Sequence, residues 1–364
     1  MNRRTFLKNS SLVTAGFGLQ IPYALFDRKI KVALVGLGRY ADYMAEQMKE
    51  CQYCEFAALV TGSPDKAESW GTKYGIKPQN RYNYQNFEQI KDNKEIDLVY
   101  IILPNSMHKE YTIRAANAKK HVIVEKPMAL NAADCIEMMQ ACVKNKVQLA
   151  MGYRLHFEPY NQEMMRLGQQ KVFGNVKIIE ASLGYNAGEK GEWRLNRALA
   201  GGGPLMNLGV YCVQAARYIT GEEPIAVTAQ FGPVTRPELF TEVEESITWQ
   251  MKFASGAVST STSSYAAGID RLYAGAENGF FELSPAISYG PFKGRTHEKE
   301  MNYPEINQQA AQMDAISKVL LDKQPMPKHI SGIEGYKDML AIDAIYKAAK
   351  SGKRVNVKAI NKPD

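Results

Sequence analysis

Six residues do most to limit how this chain can fold. Gly36-Leu37-Gly38-Arg39-Tyr40-Ala41 directly follows the apolar run Lys31-Val32-Ala33-Leu34-Val35 and opens a helical stretch. A solid β-branched run asks for burial on both faces, and glycines at its end let the backbone turn tightly and approach a pyrophosphate. The helix beyond offers free N–H groups and a positive dipole end to the same anion. GxGxxA alone is common by chance, but between an N-terminal strand and a helix it specifies a dinucleotide-binding βαβ unit.

The alternation continues. Phe56–Val60, Asp97–Leu103 and His121–Pro127 are apolar runs bounded by turns, and Ala41–Glu50, Ala67–Tyr74 and Tyr111–Ala118 carry helical spacing. Residues 27–151 are therefore expected to form an α/β, doubly wound (Rossmann) parallel sheet. From Tyr153 the runs lengthen and partly alternate, as in Val176–Tyr185, Glu245–Phe253, Ala257–Ala266 and Gly279–Leu283, with hairpin turns at Ala254-Ser255-Gly256 and Asn278-Gly279. Residues 152–364 are expected to be an α+β domain for substrate and oligomer contacts, built on a large, mostly antiparallel open sheet. Helical periodicity marks Leu205–Ile219, Asn307–Leu321 and Gly332–Lys350, and the C-terminal helices are placed to pack back on the first domain.

Charge narrows the partners. The 45 Lys+Arg against 38 Asp+Glu are scattered, with short clusters such as Arg3-Arg4 and Lys119-Lys120 and no basic stripe, so nucleic acid is not an expected partner. Arg3-Arg4-Thr5-Phe6-Leu7-Lys8, ahead of a mildly apolar stretch, resembles a twin-arginine export signal over residues 1–26. It implies the twin-arginine machinery as a partner and a periplasmic location, reached already folded. Cys51 and Cys54 form one CxxC without a second ligand pair, and the histidines and acids show no ligand spacing, so no metal is expected. The two cysteines read as small apolar residues at a helix-to-strand junction.

The second strand ends in Thr61-Gly62-Ser63, where an NAD site usually carries an acid for the ribose hydroxyl. Thr61, Ser63 and Lys66 instead offer hydroxyls and a cation to a 2′-phosphate, which favours NADP. NAD stays open if Ser63 is a plain N-cap and Lys66 a solvated helix residue.

Leu103-Pro104-Asn105-Ser106-Met107-His108 and Glu125-Lys126-Pro127 fall at strand carboxyl ends, where open α/β sheets bind ligands. Together with Gly152-Tyr153-Arg154 and the run Ala200–Tyr211 (AGGGPLMNLGVY), their order resembles the Gfo/Idh/MocA oxidoreductases, most closely the periplasmic glucose-fructose oxidoreductases. The resemblance spans nearly all of residues 30–357. It implies a cofactor site of Gly36, Gly38, Arg39, Tyr40, Thr61, Ser63, Lys66, Leu103, Pro104, Asn105, His108, Glu125, Lys126, Arg154, Trp193 and Arg194. It implies Lys126, Tyr211 and Asn207 as catalytic residues, and Lys126, Arg197, Asn207 and Tyr211 around the substrate. His108 and His156 read from the residues alone as hydrogen-bonded structural histidines.

Removing hydride from a carbinol needs a group to take the hydroxyl proton and a partner for the developing oxyanion. Lys126 and Tyr211 suit those tasks, with a lysine ammonium expected to favour the tyrosine phenolate. Asn207 stands where the relatives generally carry Asp, four residues before Tyr211 and expected on the same helix face. An amide can bind a sugar hydroxyl but cannot take its proton.

The expected activity is that of an NADP-dependent sugar oxidoreductase working by ping-pong. An aldose such as glucose becomes its lactone, a ketose such as fructose becomes its polyol, and the cofactor is retained, with a homodimer or homotetramer as the assembly. The alternative is glycoside oxidation, or a redox-assisted glycosidase that returns the hydride internally. A non-catalytic binding protein would be expected to lose Lys126 or Tyr211, and the chain has both.

Overall fold

The computed structural model describes residues 28–187 and 191–358. The export signal expected over residues 1–26 lies outside them. Among the described residues no helix is long and apolar enough to cross a membrane.

The first sheet comprises β1 (Ile30–Val35), β2 (Cys54–Val60), β3 (Arg81–Tyr82), β4 (Leu98–Ile101), β5 (His121–Glu125) and β6 (Leu149–Gly152), in the order β3-β2-β1-β4-β5-β6. All its pairings are parallel. Helices α1 (Arg39–Gln47), α2 (Pro64–Tyr74), α3 (His108–Asn117) and α4 (Ala132–Asn145) connect the strands. The strand order reverses between β1 and β4, so a crevice opens beyond their carboxyl ends, beside the glycine turn. Val32, Ala33, Leu34 and Val35 have no exposed surface, the two-sided burial that their unbroken apolar run requires.

After α5 (Pro159–Gln169) comes the second sheet: β7 (Val176–Gly184), β8 (Pro224–Phe231), β9 (Ser246–Phe253), β10 (Val258–Ser264), β11 (Ile269–Ala276), β12 (Gly279–Leu283), β13 (Gly294–Thr296) and β14 (Val355–Asn356). Its order is β13-β12-β11-β7-β10-β9-β8-β14, antiparallel except for the β7–β10 pair. Between β7 and β8 lie α6 (Arg197–Ala200) and α7 (Val210–Thr220), and the chain ends in α8 (Gln308–Leu321) and α9 (Gly332–Ser351). Ala310, Met313, Ile316 and Leu320 of α8 share a core with Ile30, Val32, Leu34 and Met44 of the first domain.

The helix expected over Leu205–Ile219 is two pieces. Leu205–Gly209 is a π-turn, and only from Val210 is the chain α-helical. Serines make room for that wider turn: Ser259, Ser261 and Ser263 of β10 point inward and are buried, and a Cβ on Gly209 would come within 3.0 Å of the Ser263 hydroxyl. Beyond it, α7 is locked to α9 by buried Arg217, whose guanidinium reaches Glu223 at 2.6 Å, Glu334 at 2.6 Å and Asp338 at 2.5 Å. Tyr153 and Gln214 also donate to Asp338, so the buried charges are paired and bonded.

Candidate functional site

The glycine turn is shaped for a close anionic ligand. Gly36 has φ +91°, and a Cβ there would meet the Ile102 carbonyl at 2.5 Å, so only glycine fits. Gly38 has nothing within 4 Å of its Cβ position and leaves open space at the start of α1. Lys66 reaches across from α2 and donates to the Leu37 carbonyl at 2.9 Å, which puts a cation on the turn. Ser63 caps α2 by accepting from the Lys66 N–H, and the Thr61 hydroxyl accepts from the Ser63 N–H. Open space and a helix N-terminus together fit a dinucleotide pyrophosphate.

The loops after β4 and β5 are tied to each other. Both His108 ring nitrogens face carbonyls, Pro127 at 2.9 Å and Leu103 at 2.9 Å, and burial lowers the pKa of the ring. His108 therefore shapes the cofactor loops and has no ring nitrogen left for a ligand. Asn105 spends its amide on the Ala200 carbonyl at 2.8 Å, joining the β4 loop to the Gly201-Gly202-Gly203 turn. Leu103 and Pro104 lie between these anchors.

Lys126 is the centre of the cluster. Its ammonium donates to the backbone carbonyl of Asn207 at 2.9 Å and lies 4.5 Å from the centroid of the Tyr211 ring. A π-turn disturbs the i→i−4 ladder, and the carbonyl that holds Lys126 lies inside one. The side chain of Asn207 points elsewhere and donates to the Tyr185 hydroxyl at 3.3 Å. Sequence spacing put Asn207 on the helix face of Tyr211; in the structure it lies in the π-turn, and its contact with lysine is made by the backbone.

Electrostatics do not favour the phenolate expected of Tyr211. Burial, outweighing the carboxylate of Glu125, lowers Lys126 to about 8, helped by Arg194 and Arg154. Burial raises Tyr211, and Arg154 opposes without prevailing. Near neutral pH the lysine is thus the group that exchanges a proton, and Tyr211 keeps its O–H. Beneath them Glu125 is buried, its own pKa raised by burial, and accepts from the Tyr100 hydroxyl at 2.5 Å. A Cβ on Gly152 would overlap that carboxylate, so this neighbour must be glycine.

The other expected residues divide. Arg154 is buried, donates to Gln308 at 2.5 Å and to the Ile287 and Ser288 carbonyls, and lies 5.4 Å from the Tyr211 ring; it supports the site from beneath. Trp193 and Arg194 stack at 4.6 Å, and the charge of Arg194 is felt at Lys126. Tyr40 is in the first turn of α1, where Glu125, Tyr289 and Tyr211 all raise its pKa after burial does. Arg39, one residue earlier, begins α1. Arg197 is not brought to Lys126: it is exposed, donates to the Glu242 carbonyl at 2.8 Å, and lines a groove with Leu130, Tyr346 and Lys347. It follows Arg194 by three residues but starts a new helix, α6, which turns it away.

Residues the sequence did not suggest complete the picture. The buried Glu244 carboxylate accepts the N–H groups of Gly203 at 3.0 Å and Leu205 at 3.2 Å and the Tyr346 hydroxyl at 2.8 Å, anchoring the start of the π-turn. Tyr289, in the irregular stretch between β12 and β13, lies under the Arg154 guanidinium at 4.4 Å. Neither position had a periodic or motif signal. Asp314 of α8 joins Cys51 and Cys54, their potential ligand atoms all within 4.8 Å, a grouping that no local spacing announced. Its carboxylate accepts the N–H groups of Gln52 and Tyr53, which makes it a clamp on the CxxC turn.

Known proteins match the whole arrangement. Residues 30–153 match the oxidoreductase family with the NAD-binding Rossmann fold, and residues 161–280 match the GFO/IDH/MocA C-terminal domain. The solved structure of an aldose-aldose oxidoreductase from Caulobacter crescentus is 40% identical, covers 90% of this chain and all of its own, and superposes with a TM-score of 0.88. An NADP-dependent D-xylose 1-dehydrogenase of Haloarcula marismortui is 24% identical over 91% of this chain and 94% of its own. A D-glucoside 3-dehydrogenase of Escherichia coli is 25% identical over 92% and 99%.

Proposed function

Because the chain belongs to the Gfo/Idh/MocA oxidoreductase family, we propose that it is an NADP-dependent sugar oxidoreductase that passes hydride between two sugars and keeps its cofactor. The observation that carries this reading is the half-buried Lys126, lowered to about 8 and held by the Asn207 carbonyl beside Tyr211. The glycine turn at Gly36 and Gly38 and the loops after β4 and β5 would hold the cofactor, which would supply the acceptor and donor of hydride at the carbinol carbon. As the neutral amine, Lys126 takes the hydroxyl proton while the C–O bond becomes C=O. The Tyr211 O–H is placed to donate to the same oxygen as charge develops on it. Lys126 then holds the proton as ammonium, under the Asn207 carbonyl, until a second carbonyl sugar takes both proton and hydride.

The donor in this reading is an aldose. A ketose such as fructose is one acceptor; the aldose-aldose oxidoreductase relative adds a second aldose as another to try. NADP is preferred because Lys66 adds a cation where the second strand ends without an acid, and NAD also fits the fold. Export through the twin-arginine route and work in the periplasm belong to the same proposal, since a retained cofactor needs no external pool. So does assembly into a homodimer or homotetramer through the open face of the second sheet.

A second reading is oxidation of a glycoside at another ring carbon. It is favoured by the amide of Asn207 beside Tyr185, a donor–acceptor pair suited to sugar hydroxyls, and by the glucoside dehydrogenase relative. The test is to load the protein with NADP, add aldose and then acceptor, and follow absorbance of the reduced cofactor. Reduction by an aldose followed by reoxidation by a ketose or second aldose supports the paired reaction. Reduction by glycosides alone selects the second reading, and no reduction by any sugar ends both.

A further inference from the structure

Two tyrosines from different domains touch beside the Lys126 cluster. Tyr43 belongs to α1, one turn beyond Arg39, and Tyr289 to the segment between β12 and β13. Their rings meet edge to face at 5.4 Å and 66°, although the residues are 39% and 57% exposed. An exposed ring on a connecting segment ordinarily samples many positions. This one is presented by a fixed backbone. The Asp270 carboxylate accepts the N–H groups of Ala286, Ile287 and Ser288 at 2.9, 2.8 and 2.9 Å, and Arg154 donates to the carbonyls of Ile287 and Ser288. The same guanidinium lies 4.4 Å from the Tyr289 ring and 5.4 Å from that of Tyr211. Tyr43, Tyr289, Arg154, Tyr211 and Lys126 thus form one continuous row from the surface to the reacting amine, crossing from α1 to the second domain and back.

We propose that Tyr43 and Tyr289 form a clasp that holds the second domain against α1 and slows release of the bound dinucleotide. The N-terminus of α1 faces the pyrophosphate position, and Tyr40 in its first turn tilts against Tyr43 at 6.5 Å. A dinucleotide lodged between the glycine turn and Lys126 leaves past the seam that the two rings close, and the tyrosine contact must break for that seam to open. The inference rests on the dinucleotide site and not on the sugar reading. An edge-to-face aromatic pair shifts an equilibrium by roughly two- to tenfold, which sets the expected change in dissociation rate.

The experiment loads the full chain with NADPH and measures loss of its fluorescence after mixing with excess NADP. Tyr43→Ala and Tyr289→Ala should each speed release roughly two- to tenfold, the double variant no more than the faster single one, and Tyr289→Phe should stay near wild type. Thermal midpoints of the unloaded proteins confirm folding. Unchanged release in both alanine variants, or independent multiplicative effects in the double variant, overturns the clasp and leaves the sugar reading intact. Altered release in a protein that no sugar reduces supports the clasp and sinks the sugar reading. A wild type that binds no NADPH overturns both.

Discussion

Replacing Glu125 by glutamine removes the carboxylate that most supports the charge of Lys126 and keeps an acceptor for the Tyr100 hydroxyl. Burial, Arg194 and Arg154 all lower the lysine, Glu125 opposes them, and the balance is about 8. Two unit charges at ~6 Å and an effective dielectric of ~20 interact by ~3 kcal/mol, or ~2 pKa units. Lys126 keeps some contact with solvent, which screens the pair and reduces the expected effect to about 1 unit. The oxidative half-reaction needs the neutral amine. Its single-turnover rate should rise about tenfold per pH unit below 8 in the wild type and level off above, while the variant should level off near pH ~7. At pH 6 the neutral fraction would be about 1% in the wild type and about 10% in the variant. The reductive half-reaction, which needs the ammonium, should show the mirror dependence and lose rate at lower pH in the variant. The assay is stopped-flow absorbance of the reduced cofactor between pH 5.5 and 9.5, with each half-reaction run alone. A wild-type oxidative rate independent of pH across this range, or a limb that moves upward in Glu125→Gln, would refute the assignment of Lys126 as the proton carrier.

Further outcomes follow from neighbouring contacts. Asn207→Asp keeps the backbone carbonyl on Lys126 and adds a negative charge nearby, so the same limb should move to higher pH and the sugar KM should change, both read in the half-reaction assay. Glu244→Gln exchanges a carboxylate that takes three hydrogen bonds for an amide with one acceptor atom; a loss of about 1–3 kcal/mol by denaturant titration should accompany a lower kcat, because the π-turn carrying the Asn207 carbonyl loosens. Lys66→Ala should weaken NADP by roughly tenfold with a smaller loss for NAD, measured by fluorescence titration; equal losses would place Lys66 on the shared pyrophosphate. Arg217→Met leaves the buried Asp338 without a cation, Glu334 keeping Lys337, and should cost about 3–5 kcal/mol in chemical denaturation.

How far the sequence could be read depended on whether a feature was local. The parallel sheet was legible because strands buried on both faces must be unbroken apolar runs, and Val32–Val35 of β1, Ala58–Val60 of β2, Leu98–Ile101 of β4 and Val122–Val124 of β5 are such runs. The glycine turn and Lys126 were legible because the carboxyl end of a parallel strand is where a ligand site must lie, whatever the loops do. The first domain and its anion site were therefore determined by the sequence itself, through patterns only a few residues long. The π-turn was not, since its extra residue depends on how closely Gly209 can approach the serines of β10. Arg197, expected at the substrate, turned away because α6 begins beneath it, and Tyr289 and Glu244 had meaning only through partners far along the chain. The proton chemistry shows the division most clearly. Sequence supplied a lysine and a tyrosine and suggested that the ammonium would create a phenolate. Only the tertiary structure, by partly enclosing both groups and placing Glu125, Arg154 and Arg194 around them, decided that the lysine is lowered to about 8 while the tyrosine keeps its proton. Ionisation depends on burial and on charges brought in from several elements, and no window of sequence contains that sum.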